Sequence, residues 1–125
     1  MALASTGKEI ETAEVERLSV DVESISLRTE AVLSMKLHSS TRGDIDAVTP
    51  AIVQHMNVLL GEDLGAAEDV EVQKLARKGR ALMEHQERPN ENTPTFGAWL
   101  YLRDVALLTR QLLWIYIERN GLGAP

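Results

Sequence analysis

The sequence predicts an all-α protein, an antiparallel bundle of about four helices, from three observations. Apolar residues recur at steps of three and four through four separate segments. No sustained strand-like alternation interrupts them, and no internal repeat is present. The clearest turn signals fall between the segments, and short connections place neighbouring helices antiparallel.

The first segment runs from Glu9 to Leu33. Val15, Leu18, Val22, Ile25 and Val32 form one narrow seam, with Thr29 filling the remaining position. Glu9, Glu11, Glu14 and Glu16 come early and Arg28 late, the order a helix dipole favours. One long amphipathic helix is expected. His38 to Gly43 then reads as a turn that leads into a second helix.

From Asp44, the positions Ile45, Val48, Ile52, Met56 and Leu59 make the second stripe, with Pro50 inside it. Proline removes one helical hydrogen bond, so the helix either kinks there or restarts with Thr49 as its cap. The stripe keeps phase across Pro50, which favours the kinked helix. Gly61 to Gly65 ends it.

Glu68 and Asp69 open the third segment, whose apolar face carries Val72, Leu75, Ala76, Gly79, Leu82 and Met83. A glycine on that face costs about 1 kcal/mol relative to alanine, so it marks either close approach by a neighbouring helix or simple tolerance. Arg88 to Thr95 holds two prolines and two asparagines in eight positions, which makes it the strongest loop signal. The fourth segment runs from Phe96 to Glu118 and stops at Asn120-Gly121. Fourteen of its nineteen residues from Trp99 to Ile117 are apolar, so this helix is either central or carries a second apolar face toward another chain.

The whole chain has 125 residues, a net charge of −6 and no cysteine. These values fit a single domain over 9–121 with tails at 1–8 and 122–125. Without cysteine there is no disulfide framework, thiol nucleophile or thiolate metal site, and the composition suits a reducing cytoplasm. The acidic balance argues against a dedicated nucleic-acid binder. Met1 to Lys8 lacks the pattern of a secretory signal, and the longest apolar run, Leu112 to Ile117, is far short of the roughly 20 residues that span a bilayer.

Catalytic patterns are scarce. No Glu-x-x-His pair, Gly-x-Ser-x-Gly elbow or phosphate-binding loop occurs, and neither a metal nor a cofactor is expected. His55, beside Ile52 and Met56, is either a partly buried, hydrogen-bonded structural histidine or a proton-transfer or ligand-contact group. Arg103 and Arg110 share a side of the fourth helix near Trp99, Leu107 and Trp114. They could clamp a carboxylate or stack on an aromatic ligand, or pair with acids of the first helix. Lys74, Arg77, Lys78 and Arg80 form either a solvated face or a contact for an acidic partner or nucleic acid.

Two functions follow as expectations. In the first, the chain is an accessory or interaction protein that meets a second copy or a larger partner through Leu107, Trp114, Ile115 and Tyr116. In the second, it is a small-molecule-binding protein or metal-independent tailoring enzyme. Its pocket is then lined by Trp99, Met56, His55 and Trp114, with Arg103 and Arg110 at the mouth.

Arg42-Gly43-Asp44-Ile45, Pro50, the Arg77-Lys78-Gly79-Arg80-Ala81-Leu82 segment and Leu108-Thr109-Arg110 with Tyr116 and Glu118 occur in a characteristic order. In this order the chain, over about residues 30–119, resembles a family of small actinobacterial proteins labelled as natural-product biosynthesis proteins. The Trp-Ile-Tyr-Ile segment and the Pro-Asn-Glu-Asn-Thr-Pro loop depart from that pattern. The resemblance implies a biosynthetic setting and assigns no catalytic residue.

Overall fold

The computed structural model describes residues 20–122, and all of its regular structure is helical. Four α-helices follow in order: α1 (Val22–Leu33), α2 (Arg42–Leu60), α3 (Val70–Leu82) and α4 (Thr95–Arg119). Single 3-10 turns at Leu37–Ser39 and His85–Glu87 lie between them. The expected tail at 1–8 and most of the one at 122–125 fall outside the described residues.

Local chemistry sets the helix starts. Asp21 caps α1, its carboxylate accepting the Ser24 N–H at 3.0 Å. This corrects the expectation of one unbroken helix from Glu9: Val20 and Asp21 are not helical, because the short aspartate side chain draws the backbone into a capped start. The expected seam positions Val15 and Leu18 and the early glutamates lie outside the described residues.

At the head of α2, Thr41 and Asp44 form a reciprocal capping box: the Thr41 hydroxyl accepts the Asp44 N–H at 3.0 Å, and the Asp44 carboxylate accepts the Thr41 N–H at 2.9 Å. α2 continues through Pro50 as a single helix. Thr49 does not restart it, since its hydroxyl donates back to the Ile45 carbonyl at 2.7 Å, one turn earlier. Pro50 is exposed, so the hydrogen bond it cannot make is lost at a surface that water can reach. Asp69 caps α3 through Glu71 and Val72, and α4 ends at Asn120, followed by Gly121 with φ of +62°.

Contacts fix the helix directions. Val32 and Met35 near the end of α1 meet Trp99 and Leu102 near the start of α4, while Glu30 reaches Arg110. The end of α3 meets the early part of α4, where the Tyr101 hydroxyl donates to the Leu82 carbonyl at 2.6 Å. α1 and α3 therefore both run antiparallel to α4. α2 runs parallel to α4: Arg42 at its head donates to the carbonyls of Asn90 and Thr93 just before α4, and Arg119 at the end of α4 donates to the Asp63 carbonyl just after α2. Successive helices thus alternate in direction.

α4 is the central element and packs most extensively against α2 and then α1. Its Leu102, Leu108 and Leu112 are buried, as are Ile45, Met56 and Leu59 of α2. Gly79 marks a close approach: a Cβ there would lie 3.0 Å from Leu60 Cδ2 and 3.3 Å from Leu108 Cδ2. Of the two readings left open for this glycine, the packing matches the first.

Candidate functional site

The side of α4 that faces away from the core carries Leu107 and Trp114, two of the residues singled out in the sequence, with two further large apolar groups. Phe96 is 54% exposed, Leu100 39% and Trp114 53%, with Leu107 half-buried between them. At 100° per residue these four stay within a strip about 40° wide. These large apolar groups recur on one side of the helix, with exposed Arg103, Asp104, Arg110 and Gln111 flanking them in the intervening turns. Phe96 and Leu100 were not singled out in the sequence, although their spacing to Leu107 and Trp114 is the signal that finds them. Ile115 and Tyr116 are half-buried and pack on the core, so they belong to the edge of this face at most.

The predicted arginines separate. The Arg103 guanidinium lies 5.6 Å from the centroid of the Trp99 ring, a cation–π arrangement. Trp99 also stacks with Phe96, their centroids 6.3 Å apart and the planes inclined by 22°. Arg110 lies 3.6 Å from the Glu30 carboxylate of α1, which matches the pairing with first-helix acids. Both partners of that pair are more than half exposed, so it adds little stability.

The expected pocket of Trp99, Met56, His55 and Trp114 does not form. Met56 is fully buried, and Trp99 and Trp114 are fifteen residues apart on one straight element, about 22 Å at 1.5 Å per residue. Residue types that suit a pocket were grouped in the sequence without the axial distance that separates them. Nor do Arg103 and Arg110 stand at a common mouth, since one lies on an indole and the other on a glutamate.

His55 is half-buried, and its Nε2 is sealed from water with no hydrogen-bond partner among the described residues. The hydrogen-bonded structural reading therefore does not hold for that nitrogen. Burial lowers its pKa below the usual 6.5, and the Arg28 charge lowers it further against an opposing pull from Asp21. A depressed pKa means that the unfolded chain takes up the proton more readily than the folded one. Stability from this group is present above pH 6.5 and lost as pH falls through the folded-state value. Urea unfolding should show stability declining below pH 6.5. A His55→Gln variant should lose that part of the decline, and an unchanged profile would rule out His55 as its source.

A cleft that the sequence did not reveal lies between α2 and the segment after α3. It holds about 670 Å³ and is lined by Pro50, Gln54, Asn57, Met83, Arg88 and Tyr101, among others. Arg42 also lines it, but its guanidinium is engaged by Asp46, Asn90 and Thr93. Burial raises the Tyr101 pKa, so the phenol stays a neutral donor to Leu82. The Gln54 and Asn57 amides line the cleft with Arg88, which lies against the Tyr101 hydroxyl, and these groups can bind a polar ligand. The signal lay in three separate segments, which only the fold joins.

Among the described residues, no group of three His, Asp or Glu side chains converges to hold a metal, and no helix is long and apolar enough to cross a membrane. On α3, Arg77, Lys78 and Arg80 are exposed, and Lys74 lies 3.6 Å from Glu71, a solvated face. Comparison with protein-family models, curated proteins and solved structures finds no match for this chain.

Proposed function

We propose that this chain is a non-catalytic interaction protein that docks through the outer face of α4, onto a second copy of itself or onto a larger biosynthetic protein. The observation that carries this reading is the exposed seam of Phe96, Leu100, Leu107 and Trp114 on the most deeply anchored helix of the bundle. A rigid face needs little ordering on binding, so its apolar burial goes into affinity. Trp114 is the natural anchor, being the largest exposed aromatic side chain on this face. A cytoplasmic setting in natural-product biosynthesis is part of the proposal, supported by the cysteine-free chain and by the ordered motifs from Arg42 to Glu118.

Trp114→Glu tests the docking face. The side chain is half in solvent, so the fold should tolerate the change, while association should weaken by at least about tenfold, as loss of an interface anchor does. Sedimentation across a concentration series, together with binding of an apolar dye, reads both effects. A wild-type protein that is a compact monomer and binds no dye would overturn the reading.

The cleft beside Gln54 and Asn57 supports a second reading, a small-molecule-binding protein. Saturable shifts of those two side-chain amides in a ligand screen would favour it; their absence across polar and aromatic fragments would remove it.

A further inference from the structure

We infer that the occupant of the α4 face is a second copy of this chain, paired in parallel about a two-fold axis that runs along the helix. The inference rests on the docking reading above and adds the identity and orientation of the partner.

The argument comes from the charges that border the seam. Measured around the helix from Leu107, Arg103 and Arg110 lie about 40° and 60° to one side. Asp104, Gln111 and Glu118 lie about 60°, 40° and 20° to the other. The seam therefore has a basic flank and an acidic or amide flank. Asp104 has no ion-pair partner among the described residues, and Arg103 is exposed on its indole. The apolar strip from Phe96 to Trp114 extends for about 27 Å, long enough for five turns of side-by-side contact.

Symmetry then selects the orientation. A two-fold axis parallel to the helices brings the basic flank of one copy against the acidic flank of the other. Arg103 then faces Asp104 of the second copy, Arg110 faces Gln111, and Leu100, Leu107 and Trp114 each meet their own equivalents. The Arg103–Asp104 ion pair and the Arg110–Gln111 contact each form twice, as an isologous interface requires. An axis perpendicular to the helices keeps like flank on like flank, so Arg103 meets Arg110 of the second copy and the cations repel. The same surface is thus self-complementary in one orientation and self-repelling in the other.

Two sets of variants test this. Arg103→Asp and Asp104→Arg each place like charges across the parallel contact, and each should weaken dimerisation by about tenfold. An equimolar mixture of the two should recover it, because every facing pair is again opposite in sign. Leu100→Cys, in a chain without other cysteines, should give a disulfide-linked dimer on mild oxidation, its two sulfurs meeting across the axis. Tightening by Arg103→Asp, or linkage only between Leu100→Cys and Trp114→Cys chains, would show antiparallel pairing and overturn the inference while the docking reading stands. A wild-type monomer at every concentration that still binds apolar dye through Trp114 would do the same. A monomer that binds no dye would overturn both.

Discussion

Truncating Leu108 to alanine is expected to lower the free energy of unfolding by about 2–5 kcal/mol, the range for emptying a well-packed leucine site. Leu108 is only 1% exposed and sits where three helices meet: its Cδ2 lies close to Gly79 of α3, and Leu60 of α2 borders the same place. Gly79 of α3 and the Leu60 side chain of α2 border the lost methyls, so the site collapses only if a helix shifts toward it. Urea denaturation checks the value. The midpoint should fall with the slope unchanged, since the surface exposed on unfolding is nearly the same. A loss below about 1 kcal/mol, well under the range for buried leucines, would mean that α3 does not close over α4 as described.

Gly79→Leu should be nearly as damaging for the opposite reason. A Cβ at that position already stands 3.0 and 3.1 Å from the two Leu60 methyls, and a full leucine side chain has no room beyond it. Overpacking of this kind costs about 1–3 kcal/mol or more, against about 1 kcal/mol regained from better helix propensity. α3 should undock before the rest of the bundle, visible as faster amide exchange over Val70–Leu82 than over α2 or α4. Combined with Leu108→Ala, the same leucine has a cavity to enter, so the double variant should be more stable than the sum of the single losses predicts. Strict additivity would show that the two sites do not touch.

That junction also shows which parts of the fold were legible in the sequence. Gly79 stood out because a glycine on an apolar helical face is unusual, but only the packing separates close approach from tolerance. The ends of α3 and α4 were readable because their stop and start signals are local: Asp69 bonds backbone two and three residues on, and Asn120-Gly121 ends a helix without outside help. The capped start of α1 was hidden because Asp21 sits on the polar side of a seam whose phase in the sequence continues through it. Apolar periodicity reports which face is buried and is blind to one capped residue.

The exposed face of α4 was partly legible for the same reason. Trp114 and Leu107 followed from the surplus of apolar residues on one helix, while pairing of Arg110 with an acid of the first helix was one of two readings left open and Glu30 itself was not picked out. The proposed pocket failed because residue type carries no distance. The cleft beside Pro50 was missed because Gln54, Met83 and Tyr101 share no element, and their neighbourhood exists only after α3 turns back over α2.

The central position of α4 has a consequence for how the chain is made. Of the four described helices, the one with the most extensive packing against the others leaves the ribosome last. While it is still inside the exit tunnel, α1, α2 and α3 present apolar stripes whose main covering surface has not yet been synthesised. Completion of the bundle therefore waits on its final helix, and until then the uncovered stripes are open to the aggregation that unfinished chains risk. A chain that stops before Thr95 would keep three amphipathic helices without the one that packs most extensively against them.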